Sequence, residues 1–224
     1  MNKQHIPFRD TGRFSSLICD YLSENDSLKP FYGLFPTLNN FKTQITDKTE
    51  SYSATHRKVL VQTLREQYET ITPSSLVLEN LDLLAQKNTF TITTGHQLSL
   101  MTGPLYFIYK IISTINLCEQ LRVKYPASSF VPVYWMASED HDFEEISSFR
   151  FQDKRINWHR NSAGAVGEIS LDDLQEVLDV FEQYLGTSVN SNTIRKWITE
   201  SYRACNTLSE ATFRLVNELL VTRV

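Results

Sequence analysis

The pattern of apolar and polar residues predicts helices in the first ninety residues and two strands nearer the middle of the chain. Apolar residues recur at helical spacing over 14–22, over 55–68 and again after Pro73. Two apolar runs rich in β-branched and aromatic residues, 90–93 and 131–137, are typical of buried strands, and an amphipathic helix separates them. Strand, helix and strand in this order predict a βαβ unit with parallel strands, and hence an α/β fold.

The same pattern predicts which faces of the helices are buried. In the second helix, Val59, Leu60 and Leu64 fall on one face, and Pro73 is expected at the first position of the third helix, where its missing N–H needs no partner. The third helix would bury the leucines at positions 76, 81 and 84. The central helix is predicted to start near Gly103, with Thr102 as its cap. Its apolar stripe comprises Leu105, Ile108, Ile112, Ile115 and Leu121.

The last third of the chain predicts a hairpin followed by helices. The runs 149–151 and 156–158 flank a polar turn, and the turn-rich segment 161–164 is a candidate subdomain boundary. Ser170 and the acidic residues after it resemble a capping box that opens a helix through about residue 185. Two further helices are predicted near 194–202 and 209–220.

Composition removes several classes of protein. The chain of 224 residues has a net charge of −4, which argues against nucleic-acid binding because no basic stripe is present. Charged residues interrupt its longest apolar segment, so no membrane span is expected. Three cysteines without a C-x-x-C pair support neither a disulfide framework nor a zinc site. We therefore expect a soluble cytoplasmic protein.

Gly95, His96 and Gln97 follow the first predicted strand and form the first chemical cluster. A glycine there permits a sharp turn, and the start of the next helix attracts anions such as phosphates. His96 and Lys110 could both stabilise a phosphoryl group. No Walker A loop or G-x-G-x-x-G fingerprint occurs, so the chemistry is weakly specific. A histidine that serves only as an ordinary hydrogen-bonding residue is the alternative.

The second cluster, Glu139, Asp140, His141 and Asp142, follows the second strand. If extension persists, alternation sends Glu139 and His141 to one side and the two aspartates to the other. One side could hold a substrate ammonium, and the other could orient the histidine as an acid or base. A solvated acidic loop and a metal site are the alternatives, although no metal-ligand spacing supports the second.

These residues carry a resemblance to a known family. The segments 94–97, 102–106 with Lys110, and 135–146 closely resemble the bacillithiol biosynthesis cysteine-adding enzymes, as does the later 167–169. The resemblance covers the whole chain but only the N-terminal portion of the family's length. It implies a Rossmann-like, parallel-sheet nucleotide-binding core like that of class I aminoacyl-tRNA synthetases, with a helical insertion. Residues 1–160 would form this core with its N-terminal helices, and 161–224 an incomplete helical connecting subdomain.

The resemblance also implies an activity and a set of site residues. Cysteine would be joined through its carboxyl group to the amine of glucosaminyl-malate, after activation by ATP or another nucleotide. Three residues would be catalytic. His96 would bind a phosphoryl group, Asp140 would anchor the amine, and His141 would accept its proton. The implied substrate- or nucleotide-binding residues are Gly95, Gln97, Gly103, Tyr106, Lys110, Trp135, Glu139 and Asp142.

The chain departs from the family pattern in length. The lysine-containing second signature of class I synthetases and the coiled coil that would make the full-length form a homodimer are both missing from the sequence. We therefore expect a shortened chain whose independent activity is open. A non-catalytic, truncated nucleotide-binding fragment is the first alternative, and a metal-dependent hydrolase using the second cluster is the other.

Overall fold

A computed structural model describes residues 4–220, which form two compact units divided between Ser51 and Tyr52. Between residues 4 and 51, the first unit has two α-helices, α1 (Ser16–Leu22) and α2 (Phe41–Ser51), and two short 3-10 helices. Helix α1 confirms the prediction for 14–22, and the Ser15 hydroxyl accepts a hydrogen bond from the Ile18 N–H at its start. Helix α2 was not predicted, because its polar sequence buries no residue and shows little helical periodicity.

The second unit carries the predicted βαβ segment. Its elements are α3 (Ala54–Tyr68), α4 (Ser75–Leu84), β1 (Thr89–His96), α5 (Tyr106–Lys124), β2 (Ser129–Met136), α6 (Phe143–Ile146), β3 (Ser148–Phe151), β4 (Lys154–Asn157), α7 (Gln175–Tyr184), α8 (Val189–Ile198) and α9 (Leu208–Leu220). Strands β1 and β2 are parallel, with Thr89 opposite Ser129 and His96 opposite Met136. The α/β class and the βαβ unit are confirmed. No helix within 4–220 has the length and apolar content needed to cross a bilayer.

The predicted buried faces of α3 and α4 need correction. In α4, Leu81 and Leu84 are buried as predicted, but Leu76 is 39% exposed. In α3 the buried residue is Val61, whereas Val59 is 59% exposed and Leu60 also faces solvent. Pro73 does not take the first helical position of α4. It precedes the N-cap Ser74, whose hydroxyl accepts a hydrogen bond from the Val77 N–H at 3.2 Å.

The start of α5 also differs from its prediction. The helix begins at Tyr106, and Thr102 is not its cap. Leu105, expected in the apolar stripe, is 65% exposed. The buried positions of the helix are shifted by one residue at its start, and they comprise Phe107, Ile111, Thr114, Ile115, Cys118 and Leu121. Of the predicted stripe, Ile115 and Leu121 are buried, Ile108 and Ile112 are partly buried and pack against the buried cluster of this helix, and only Leu105 is exposed.

The C-terminal part has the predicted hairpin, with β3 and β4 antiparallel. The predicted capping box at Ser170 does not form. A short 3-10 turn precedes α7, and the Ser170 hydroxyl accepts only from the Asp172 N–H. A capping box occurs instead at α9, where the Thr207 hydroxyl accepts from the Glu210 N–H and the Glu210 carboxylate accepts from the Thr207 N–H.

The main core surrounds Trp158, which is 2% exposed. It also contains Leu98 and Leu100 from the loop after β1, Phe143 from α6, and Tyr202 from the turn between α8 and α9. This core joins residues from both sides of residue 160. The predicted division into 1–160 and 161–224 stays a prediction. The loop after β1 is thus anchored in the C-terminal part of the chain.

Candidate active site

The two chemical clusters meet at the carboxyl ends of the parallel strands. Gly95 lies opposite Trp135, and the Ala137 N–H donates to the His96 carbonyl oxygen at 3.1 Å. Ligands of open α/β sheets bind at this edge, because loops there can present side chains without breaking the ladder. The parallel pairing therefore brings together the clusters that the sequence places more than forty residues apart.

Gln97 links the two clusters directly. Its amide nitrogen Nε2 donates to Oδ2 of Asp140 at 2.9 Å and to Oε2 of Glu145 at 2.8 Å. Both amide hydrogens are thus used, and two carboxylates are held on one side chain. Glu145 was not among the predicted site residues. Its only sequence signal is its spacing of three residues from Asp142, whose Oδ1 accepts from the Glu145 N–H at 3.1 Å.

Asp140 is an ionised, well-held carboxylate. Its Oδ1 accepts from the N–H groups of His141 at 2.6 Å and of Asp142 at 3.1 Å. The hydrogen bond from Gln97, followed by these two backbone bonds, lowers the pKa of Asp140 below its usual value. A general base works best with a pKa near the operating pH, so Asp140 suits anchoring a cation better than accepting a proton.

The other members of the second cluster are exposed, and the predicted alternation between them does not occur. Strand β2 ends at Met136, and the Asp140 N–H turns back to the Ala137 carbonyl at 3.3 Å. The His141 ring is 89% exposed, with its Nδ1 4.0 Å from Oδ1 of Asp140. That distance exceeds a hydrogen bond, so Asp140 does not orient the histidine in this arrangement.

His96 lies half-buried at the end of β1. Its Nδ1 is 3.0 Å from the Gln97 carbonyl oxygen, and because a carbonyl only accepts, Nδ1 carries the proton. The imidazole ring lies 5.2 Å from the ring of Tyr106 and 5.1 Å from that of Phe107. Its Nε2 can donate to a phosphoryl oxygen only when the ring is protonated. The same bond also fits the alternative of a histidine that only satisfies a backbone carbonyl.

Lys110 reaches back from α5 to the end of β1. Its ammonium donates to the carbonyl oxygen of Gly95. Lys110 lies one helical turn after Tyr106, which is 53% exposed. Gly95 itself lies inside β1, so the predicted sharp turn at this glycine is wrong. A Cβ there would make ordinary contacts of 3.6 to 3.8 Å with Trp135, which is 59% exposed. Through its bond to the Gly95 carbonyl, Lys110 places a positive charge at this strand end.

Gly103 belongs to the loop and not to the helix start. Its φ of 59° is in the left-handed region, and a Cβ would lie 2.6 Å from the Ser99 Cβ. This position requires glycine on both counts. The helix start that can attract an anion is at Tyr106, where no side chain caps the helix.

A preformed metal site is not found in the described part of the chain. No group of three histidine, cysteine or carboxylate side chains between residues 4 and 220 lies close enough to hold a metal ion. The hydrolase alternative gains no support from the geometry.

Comparisons with known proteins agree with the sequence resemblance. The chain matches the family model described as "Bacillithiol biosynthesis BshC, N-terminal Rossmann-like domain" over residues 1–223. A protein of Flavobacterium johnsoniae named "Putative cysteine ligase BshC" is 50% identical over 214 residues, covering 96% of this chain and 40% of the relative. Proteins of the same name from Christiangramia forsetii and Bacillus anthracis are 47% and 29% identical, covering 96% and 92% of this chain.

The chain spans about 40% of the length of these relatives, 40% in Christiangramia forsetii and 39% in Bacillus anthracis. The family match extends over nearly the whole chain, including both strand ends and the C-terminal helices. This chain therefore belongs to the family of BshC N-terminal Rossmann-like domains.

Proposed function

We propose that this chain supplies the nucleotide-binding part of a ligase that joins cysteine to glucosaminyl-malate in the last step of bacillithiol biosynthesis. The observation that carries the proposal is the Gln97 amide, which joins the ends of β1 and β2 into one site. Membership of the BshC family supports the same reaction. In the proposed full-length form, two copies act as a homodimer.

The reaction requires an activated acyl group. Amide formation from a free carboxylate is uphill in water, so an oxygen of the cysteine carboxylate attacks a phosphorus of ATP or another nucleotide. The bond from that phosphorus to its leaving group, pyrophosphate or the nucleoside diphosphate, breaks as the new bond forms. The amine of glucosaminyl-malate then attacks the acyl carbon and loses a proton, and the phosphate-bearing group leaves. Such a site needs positive groups for the phosphates and negative groups for the amine.

The positive groups lie at the β1 end. Lys110 places its ammonium beside the Gly95 carbonyl, and the uncapped start of α5 at Tyr106 presents backbone N–H groups and the positive end of the helix dipole. His96 adds a donor when its ring is protonated. Together these groups would bind the phosphoryl group and stabilise the charge that develops on it during transfer.

The negative groups lie at the β2 end. Asp140, held ionised by Gln97, anchors the substrate ammonium, and the exposed Glu139 and the neighbouring Glu145 add to the negative potential. The ammonium must lose a proton before its nitrogen can attack. The exposed His141 accepts this proton after its ring turns toward the bound group, and the second proton goes to solvent as the amide forms. In the full-length protein we expect His96→Ala and Asp140→Asn each to abolish amide formation.

ATP binding to the chain tests the nucleotide part of the proposal. Isothermal titration calorimetry should give at least a tenfold weaker Kd for Lys110→Met, because a charge-assisted bond is worth about 1.5–3 kcal/mol. The matched control is Lys87→Met, an exposed lysine just before β1, which should stay within twofold of wild type. Equal affinity in both variants, or no ATP binding by wild type at millimolar concentration, would contradict the proposal.

Thiol analysis tests the ligase part. Cells that lack the full gene should accumulate glucosaminyl-malate and lose bacillithiol by mass spectrometry, whereas normal bacillithiol would count against the ligase. A chain that binds ATP but forms no amide alone would support the second candidate, a nucleotide-binding part without independent catalysis. The coverage of only 40% of the curated relatives favours testing this candidate.

A further inference from the structure

The loop between β1 and α5 has an unusual backbone. Met101, Thr102 and Gly103 follow one another with φ values of 50°, 69° and 59°. Glycine adopts this left-handed region freely, but for Met101 and especially for the β-branched Thr102 it is strained. Such a conformation persists only where surrounding contacts fix it, and strained loops of this kind cluster at functional sites.

Contacts on both sides of the strained segment fix the loop. Leu98 and Leu100 are 0% and 1% exposed in the main core. Inside the loop, the Thr102 N–H donates to the Ser99 carbonyl and the Gly103 N–H to the Leu100 carbonyl. The Met101 N–H instead points out of the loop and donates to the hydroxyl oxygen of Tyr202 at 3.0 Å.

Tyr202 is itself held rigidly. It lies in a single π-helical turn, Thr199–Arg203, between α8 and α9, and such turns occur frequently at functional sites. Its ring is 1% exposed, and burial raises the pKa of its hydroxyl to about 12, which keeps it neutral. The next residue, Arg203, donates to Asp179 and Glu182 of α7 at 2.6 and 3.0 Å. The hydroxyl is thus presented from a fixed point.

We propose that Tyr202 is a positioning residue: its hydroxyl holds the left-handed 101–103 turn and thereby sets where α5 begins, with Tyr106 and Lys110 at the phosphate side of the site. The effect of the Tyr202 hydroxyl on nucleotide binding rests on the proposed function, whereas its effect on the 101–103 turn does not. A tyrosine that merely filled the core would be replaceable by phenylalanine without a change in the loop.

The Tyr202→Phe variant separates these roles because it keeps the buried ring and removes only the hydroxyl. We expect amide hydrogen exchange at Met101 to become at least tenfold faster, with exchange in β1 unchanged, and ATP affinity to fall three- to tenfold. The matched control is Tyr68→Phe, a half-buried tyrosine of α3 that packs on Phe213, which should alter neither quantity. Wild-type exchange at Met101 in Tyr202→Phe would overturn the proposal.

A second substitution tests the reason for the effect. Asparagine tolerates the left-handed region much better than threonine, so Thr102→Asn in the Tyr202→Phe background should restore at least half of the lost ATP affinity. Failure of this rescue would overturn the role of the hydroxyl in holding strained backbone. If wild type does not bind ATP, the proposed function fails, and exchange at Met101 alone decides the positioning role.

Should Tyr202→Phe not fold, Thr102→Asn alone is informative. Relief of strain should raise its Tm while exchange at Met101 stays as in wild type. A lower Tm in this variant would overturn the claim that the turn is strained and held from outside.

Discussion

Gly167→Ala is predicted to push the acidic loop after β2 away from the C-terminal helices. The Gly167 N–H donates to the Ser138 carbonyl oxygen at 2.9 Å, so the two segments touch at this point. A Cβ on Gly167 would lie 2.3 Å from Oγ of Ser209, 2.6 Å from Cβ of Ser138 and 2.9 Å from the Ser138 carbonyl oxygen. The φ of Gly167 is not in the left-handed region, so the cost of alanine is purely steric.

The magnitude follows from which of these atoms can move. The Ser209 hydroxyl can rotate away, but the Ser138 backbone cannot yield without moving the acidic loop. Overpacking of this kind costs about 1–3 kcal/mol. For a chain of this size that lowers the Tm by about 2–12 °C, which differential scanning calorimetry resolves. Because the Val166 N–H donates to the Asp140 carbonyl at 2.7 Å, the displacement should also reach Asp140.

Two further variants make this prediction refutable. Gly186→Ala is the matched control, since its Cβ would meet nothing closer than Oγ of Ser191 at 3.9 Å, and its Tm should stay within about 2 °C of wild type. Adding Ser209→Gly to Gly167→Ala should recover only part of the loss, because the Ser138 contact remains. A wild-type Tm in Gly167→Ala would refute the reasoning, as would full recovery in the double variant.

Three other outcomes follow from single contacts. Gln97→Leu removes the largest cause of the lowered Asp140 pKa, so that pKa should rise in a ¹³C NMR titration. A lowered carboxyl pKa stabilises the folded state at pH values above the ordinary aspartate pKa, and this stabilisation is lost as the pH falls through the lowered pKa. The difference in Tm between wild type and Gln97→Leu should therefore become smaller in acid. Leu98→Ala should cost about 2–5 kcal/mol in urea unfolding, against less than about 1 kcal/mol for the exposed Leu105→Ala. Thr207→Ala should cost about 0.5–2 kcal/mol in thermal unfolding, because it removes the cap of α9.

The sequence was most informative where the signal is local. The runs at 90–93 and 131–137 predicted β1 and β2, since β-branched residues between polar segments fit a buried strand. The position of Lys110 one turn after Tyr106 placed it near the strand end, where it does reach the Gly95 carbonyl. Helix spacing and strand order alone were enough for these features.

The predicted start of α5 was wrong for a physical reason. Thr102, Gly103 and a following proline have the residue types of a helix N-terminus. Burial of Leu98 and Leu100 draws the loop into the main core, and Tyr202 takes the Met101 N–H from 101 residues away in sequence. A contact between residues so far apart leaves no periodic pattern in the sequence. The local preference for a helix start at Thr102 was therefore overridden by a tertiary contact that the sequence does not reveal.

The contact of Gln97 with Glu145 was equally inaccessible, although Gln97 itself was among the candidates. The alternation predicted for the second cluster requires the extended strand to continue, but β2 stops at Met136 and the chain turns. The sequence therefore predicted which side chains lie at the strand ends. The geometry, including the exposed position of His141, required the backbone path between them.

The residue type at position 97 lets the acidic side of the candidate site keep its negative charge. A lysine there would cancel one of the two negative charges of Asp140 and Glu145, and a glutamate would repel both carboxylates. A neutral amide with two donors holds the two carboxylates in place and lowers the pKa of Asp140 without adding charge. Their negative charge thus stays available for the substrate ammonium of the proposed reaction, while the positive charge of Lys110 lies at the end of β1, on the Gly95 carbonyl. The separation of charge that the proposed ligase needs therefore depends on an uncharged side chain.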